Sequence, residues 1–421
     1  MDDRRQMSHL LRRLTFGPTA AEVDAATRAG FDATLASLLR PAAAVTAVDL
    51  GADPVAKLAT GATREQRQEA RKQQRDQVAT AVRWWLGRLA DGGAAEKLTF
   101  FWHGHWATSV RKVRSAQLML GQQATLRRYG AGDTGPLVRA MLRDPALIIW
   151  LDGQKNTRKA PNENLAREVM ELFTLGLGAY SEADVKAAAR VLTGWQVDRA
   201  TGAARLAAKR HDDRPVTLLG RTGTFDLDSY ADALVRNPAH VPFLAGRLWS
   251  RYASDTVPVP SSVAAAGRNT TALIAAMCRA PEFPVTAGTL VKQPVEWLVG
   301  ATRQLGLRIG ALETAQQQRL VGALRALGQV PLSPPSVGGW PAGTAWLTTS
   351  SAMARLKAGQ QLAALAPAAV ERLTGADRVE ALASLLVVDA WTDRTRAALS
   401  GVKDPRRLLA LGLASPEYAV H

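Results

Sequence analysis

Four short segments carry most of the side chains that could do chemistry. The first is Phe101-Trp102-His103-Gly104-His105-Trp106, which holds two of the six histidines in the chain. On a helix, residues two apart point about 200° apart, so His103 and His105 share one metal only if Gly104 breaks the helix. In extended backbone the same spacing puts both on one side. Imidazole serves as ligand or as acid–base group near neutral pH; two polar tips packed under the tryptophans are the structural alternative. The second segment, 162–176, reads Asn-Glu-Asn-Leu-Ala-Arg-Glu-Val-Met-Glu-Leu-Phe-Thr-Leu-Gly. At 100° per residue, Glu163, Asn164, Arg167, Glu168, Glu171 and Thr174 fall within an arc of about 140°. Arg167 is four residues from both Glu163 and Glu171 and can bridge them. Exposed, such a ladder contributes about 0.3–0.5 kcal/mol per pair. Buried, the carboxylates could hold a cation or polarise a proton donor.

The third segment, Arg210-His211-Asp212-Asp213, supplies a histidine and carboxylates from a loop, where functional groups tend to lie. The fourth, 331–346, is dense in Pro, Gly and Trp. Two indoles should order it into a loop that packs over a site or offers a stacking surface.

These segments must be positioned by helices. In 421 residues Ala, Leu and Arg are abundant and strand formers are thin, while 47% hydrophobic content supports a sizeable core. Capping signals recur: Thr19-Ala-Ala-Glu22 and Ser181-Glu-Ala-Asp184 each open a helix. A long helix is expected over 63–91, its charged first half a solvated face, and further helices over 95–106, 115–129 and 162–175. The stretch 196–219 alternates and turns, as a short hairpin does. The expected fold is all-α with at most that hairpin, as one large helical domain over 1–421 or two merged lobes, about 1–195 and 220–421.

Composition excludes several classes. Cys278 is the only cysteine, so no disulfide forms within the chain and a thiolate-rich zinc site is ruled out. Its apolar setting reads as core. The formal net charge is +16, but the arginines are scattered and form no dense basic block, so no specific nucleic-acid partner is expected. No run of 18 apolar residues predicts a membrane span. Arg12-Arg13-Leu14-Thr15-Phe16 precedes no apolar region and reads as first helix, not export signal, which predicts a cytoplasmic location.

At several of these segments the chain resembles the bacterial domain-of-unknown-function family eighteen hundred. The resemblance is carried, in order, by His9-Leu-Leu-Arg-Arg-Leu-Thr-Phe-Gly17, Phe101 to Trp106, the 162–176 segment and Ala189-Arg-Val-Leu-Thr-Gly-Trp195. It continues through His211-Asp212, Leu219-Gly220, Lys292-Gln-Pro-Val-Glu296, Pro334-Pro-Ser-Val-Gly-Gly-Trp340 and Ser415-Pro-Glu-Tyr418. The resemblance implies a largely helical protein and no particular activity. Many resembling proteins carry an export signal. They are often encoded beside proteins similar to sulfatases and alkaline phosphatases, which makes such a protein the implied partner.

Together the segments predict a shared polar pocket. His103, His105, Glu163, Glu168, Glu171 and His211 form the candidate ligand set for a divalent first-row metal. His103, His105, Glu168, Glu171, Arg167, His211 and Asp212 are the candidate catalytic set for acid–base hydrolysis, with Arg167 as anion clamp or structural bridge. The competing expectation is a non-catalytic helical scaffold that binds a partner, its polar cluster a buried structural network.

Overall fold

The computed structural model describes residues 2–56, 58 and 61–421. It is mainly helical, as expected, with strands confined to two short hairpins among the described residues. Local chemistry sets the helix starts. Thr19 Oγ1 accepts from the Glu22 N–H at 3.3 Å while the Glu22 carboxylate accepts from the Thr19 N–H at 2.8 Å, and Ala20–Ala29 follows. Ser181 and Asp184 cap Glu182–Val191 in the same reciprocal way. The long helix is Arg64–Asp91, capped by Thr63 and Gln66, with its charged first half largely exposed.

One hairpin was expected over 196–219, and two are found. Trp195–Asp198 pairs antiparallel with Ala203–Leu206, and Val216–Leu218 with Arg221–Gly223. The tight return at Leu219-Gly220, both at positive φ, makes the second pair possible.

The hydrophobic interior falls into two main clusters. One gathers side chains from Leu126 to Phe283, including Met141, Met170, Tyr230 and Trp249. The other joins Trp85, Leu86 and Leu89 to a run from Val295 to Tyr418. The helix Gly93–His105 lies between them. Its Phe101 and Trp102 enter the first cluster and Phe100 enters the second. A helix rotates about 100° per residue, so consecutive aromatics can serve opposite sides. This shared wall places its C-terminal end, with His103 and His105, deep between the two cores.

The segment 162–176 departs from a plain α-helix. Asn164–Glu168 is α-helical, but Val169–Thr174 is a π-helix. Thr174 Oγ1 donates to the Val169 carbonyl at 2.6 Å within the wide turn. Its C-terminal carbonyls are taken from outside the helix: His105 Nε2 donates to Phe173 O at 2.8 Å and His240 Nδ1 to Thr174 O at 2.9 Å. The 100° rotation that grouped Glu171 and Thr174 with Glu163 therefore stops applying past Glu168.

Candidate functional site

The histidine segment is helical through His105, and Gly104 does not break it. His103 and His105 consequently diverge. His103 Nε2 accepts from the Leu332 N–H at 3.2 Å, and its Nδ1 lies 3.0 Å from the Gln123 side-chain amide. Burial holds this imidazole at about 3. His103 is thus fully used as a structural link. His105 turns the other way, to Phe173 O.

The remaining predicted residues are placed as follows. Arg167 holds Glu182 through two bonds of 2.8 and 2.7 Å and reaches Glu163 at 3.2 Å, on a surface where all three are partly or largely exposed. Glu171 accepts from Tyr180 Oη at 2.9 Å. Glu168 is partly buried; desolvation, then the nearby Glu171 charge, raises its carboxyl above the ordinary range. His211 Nδ1 donates to the Thr193 carbonyl at 3.0 Å. Asp212 is buried under Arg190 at 2.9 Å and Arg214 at 2.7 Å, and these hydrogen bonds hold it far below the usual carboxylate range.

The histidine segment and the 162–176 segment do meet, but through a backbone carbonyl and not through Glu168 or Glu171. Among the described residues no three His, Cys, Asp or Glu side chains stand together as a metal site requires. The six candidate ligands therefore form no single donor set. The reasons are physical: His103 and His105 face opposite sides of one helix, His211 is tied to the Thr193 carbonyl, and the glutamates lie along a partly solvated face.

The strongest polar constellation lies on the other side of His105. Glu296 is wholly buried at the start of the helix Pro294–Gln304. Its carboxylate stands 2.7 Å from Lys97 Nζ and 3.0 Å from Arg251 Nη1, and it accepts from the Gln293 N–H at 2.9 Å. Lys97 also donates to Arg12 O at 3.1 Å and Thr15 O at 2.8 Å. Burial draws Lys97 down to about 8, yet two carbonyls accept from it and the Glu296 carboxylate stands at 2.7 Å, so it is charged at neutral pH. Arg13, 1% exposed, donates to Thr286 O, while its Nε and Nη1 have no partner. Burial lowers it to about 9, against the pull of Glu296. Lys292, also buried, lies 3.8 Å over the Tyr418 ring, and burial holds its amine well below the ordinary range. Lys97 and Arg251 thus pair with one buried carboxylate, with Arg13 and Lys292 buried nearby.

Beside this hub is a cavity of about 130 Å³. His105, Arg247, Ser250, Arg251, Gln293 and Trp340 supply its polar and indole groups, with Phe100 and Phe101 alongside. No Asp or Glu lines it among the described residues. Arg247 stands at the exposed mouth and has no carboxylate partner there. Arg251 Nη2 and Trp340 Nε1 are buried donors without acceptors. The Trp loop forms one wall: Trp340 stacks on Phe100 with centroids 5.5 Å apart and planes at 21°. Gly339, at φ +85°, packs so tightly that a Cβ there would lie 2.5 Å from Gly104 O. A larger cleft of about 640 Å³ includes Arg303, but that guanidinium is committed to Glu22 and the Gly17 carbonyl.

Sequence reasoning found His105 and the Trp loop but missed Lys97, Arg247, Arg251 and the role of Glu296. A signal existed for one of them. Lys97 lies four residues before Phe101, in register with an aromatic helix face, which is an unusual place for a charge. Arg247 and Arg251 are also four apart, but nothing separates them from the many other arginines.

The family described as Protein of unknown function (DUF1800) matches residues 9–420, and the chain belongs to it. No curated protein and no solved structure matches the chain.

Proposed function

We propose that this member of the DUF1800 family binds a small anionic ligand in the cavity between His105, Arg251 and Trp340. The observation that carries the reading is the charge balance. Cations and unpaired N–H donors outnumber acceptors at and beneath a cavity whose lining holds no acidic residue. A buried guanidinium N–H left without an acceptor, as at Arg251 Nη2, is costly, and an anion would offset that cost. Arg247 at the mouth and Arg251 inside could clamp one anionic group, while Phe100, Phe101 and Trp340 would pack its apolar part. Acid–base hydrolysis in this pocket would have His105 as its nearest imidazole and Arg251 to stabilise developing negative charge.

Thermal unfolding of the purified protein with phosphate, sulfate, acetate or glycolate, against chloride at equal ionic strength, tests the reading. A ligand that binds only the folded chain stabilises it by about 2.7 kcal/mol at a hundred times its Kd. At least one of these anions should raise Tm in a saturable way. Arg247→Gln, at an exposed position, should weaken that response at least tenfold without lowering the ligand-free Tm. No response to any of the four beyond that of chloride would overturn the proposal and favour the scaffold reading.

A further inference from the structure

We infer that the cavity selects an oxyanion that carries an O–H of its own, because His105 offers it a bare acceptor among donors. This rests on the anion-binding reading above and narrows its ligand. Phe173 O has only lone pairs to offer, so the nitrogen 2.8 Å from it, His105 Nε2, must carry the proton. The other nitrogen, Nδ1, is buried and has no partner. The ring is 3% exposed and stands in the cavity wall. Burial, then the charge of Arg247, keeps it neutral, drawing it down to about 3. His105 Nδ1 is therefore a lone pair waiting for a donor.

The two aromatics packed on the ring supply none, since Phe101 has no donor and the Trp102 indole N–H goes to Gly130 O at 2.7 Å. Phe101 stacks on the ring at 5.7 Å and 26°, and Trp102 meets its edge at 5.3 Å. Both contacts hold the imidazole plane. Arg247, Arg251 and Trp340 line the same cavity, and Arg251 Nη2 and Trp340 Nε1 are buried donors without partners. A ligand that satisfies the whole wall must accept from the arginines and donate to Nδ1 at once. Sulfate at neutral pH has acceptors only and would set its lone pairs against that of Nδ1. Phosphate at the same pH always retains at least one O–H. Glycolate has the needed hydroxyl beside its carboxylate, and acetate lacks it. An unmet buried acceptor costs about 1–3 kcal/mol, which makes the missing proton a basis for discrimination.

Isothermal titration calorimetry at pH 7 with the full chain gives the test, using two matched pairs of probes. Phosphate is compared with sulfate, and glycolate with acetate. The expected result is at least a tenfold preference for the hydroxyl-bearing member of whichever pair binds, and the binding pair tells a phosphoryl source from a hydroxycarboxylate source. His105→Gln can still donate to Phe173 O and present an amide oxygen, so it should keep the preference. His105→Phe should bring the ratio toward one. If His105→Phe does not fold, the wild-type ratio and the His105→Gln ratio still decide the matter. Sulfate or acetate binding as tightly as its partner would overturn the inference and leave the anion pocket standing. Absence of binding by all four anions would overturn both.

Discussion

Glu296 shows what a single buried charge does for this molecule. It is the one carboxylate against which Lys97 and Arg251 pair directly, and its own ionised form is held well below the ordinary range by Arg251 and Lys97 against desolvation. Breaking a buried pair by removing one partner costs about 3–5 kcal/mol, because the other charge stays buried and unpaired. Glu296→Gln should therefore lower the urea midpoint by that order, and Arg167→Ala, on the exposed ladder with Glu182 and Glu163, should leave it nearly unchanged. Equal effects of the two substitutions would contradict the burial argument. Both residues sit in helices. What separates them is which side of a helix faces another helix.

At the scale of elements, the π-helix Val169–Thr174 is the feature that changes the reading most. Hydrophobic periodicity over 162–175 predicts a helix, and a helix is present up to Glu168. The widened turn that follows presents the Phe173 and Thr174 carbonyls to two buried imidazoles from distant segments. His240 is also tied through Nε2 to Thr134 Oγ1 at 2.9 Å, so it joins three elements. His240→Phe removes the donor to Thr174 O and leaves a buried carbonyl unmet, at a cost of about 1–3 kcal/mol. Hydrogen exchange should show lost protection concentrated in 169–176. Protection unchanged there would mean that local sequence alone holds the π-turn. No local pattern marks a π-turn, because its extra residue is accommodated by partners more than 60 positions away.

Across the whole molecule, buried histidines set the response to acid. His9, His103 and His105 are each held near 3, chiefly by burial. Unfolded, each takes a proton below about 6.5. Between those limits the unfolded chain binds more protons, so stability is complete above about pH 6.5 and declines as pH falls toward 3. At pH 5 each ring contributes a loss of about 2 kcal/mol. Urea midpoints at pH 7.5, 6 and 5 should fall steadily, and a flat profile would show that the rings become protonated without unfolding. Glu296 adds to this decline only below about 4.5, where the unfolded carboxyl takes up a proton that the folded one, held well below the ordinary range, does not.

The helical class, the capped helix starts at Thr19 and Ser181, and the buried setting of Cys278 follow from local propensity and short-range hydrogen bonding, and all were legible in the chain. So was the accumulation of scarce histidines and indoles in the 101–106 and 331–346 segments. No helix among the described residues is long and apolar enough to cross a membrane, in keeping with the scattered hydrophobicity. The partners of those segments were decided only by tertiary packing. The Glu163–Glu171 array and the His103–His105 segment share a backbone contact and no carboxylate–imidazole pair, while Lys97, Arg251 and Glu296, up to 199 positions apart in the chain, meet within 3.0 Å. Charge pairing of that kind depends on which helix faces turn inward and on which distant residue they meet there. A single sequence records the charges of Arg247, Arg251 and Lys97, but the burial that distinguishes them from the other arginines and lysines exists only in the folded chain.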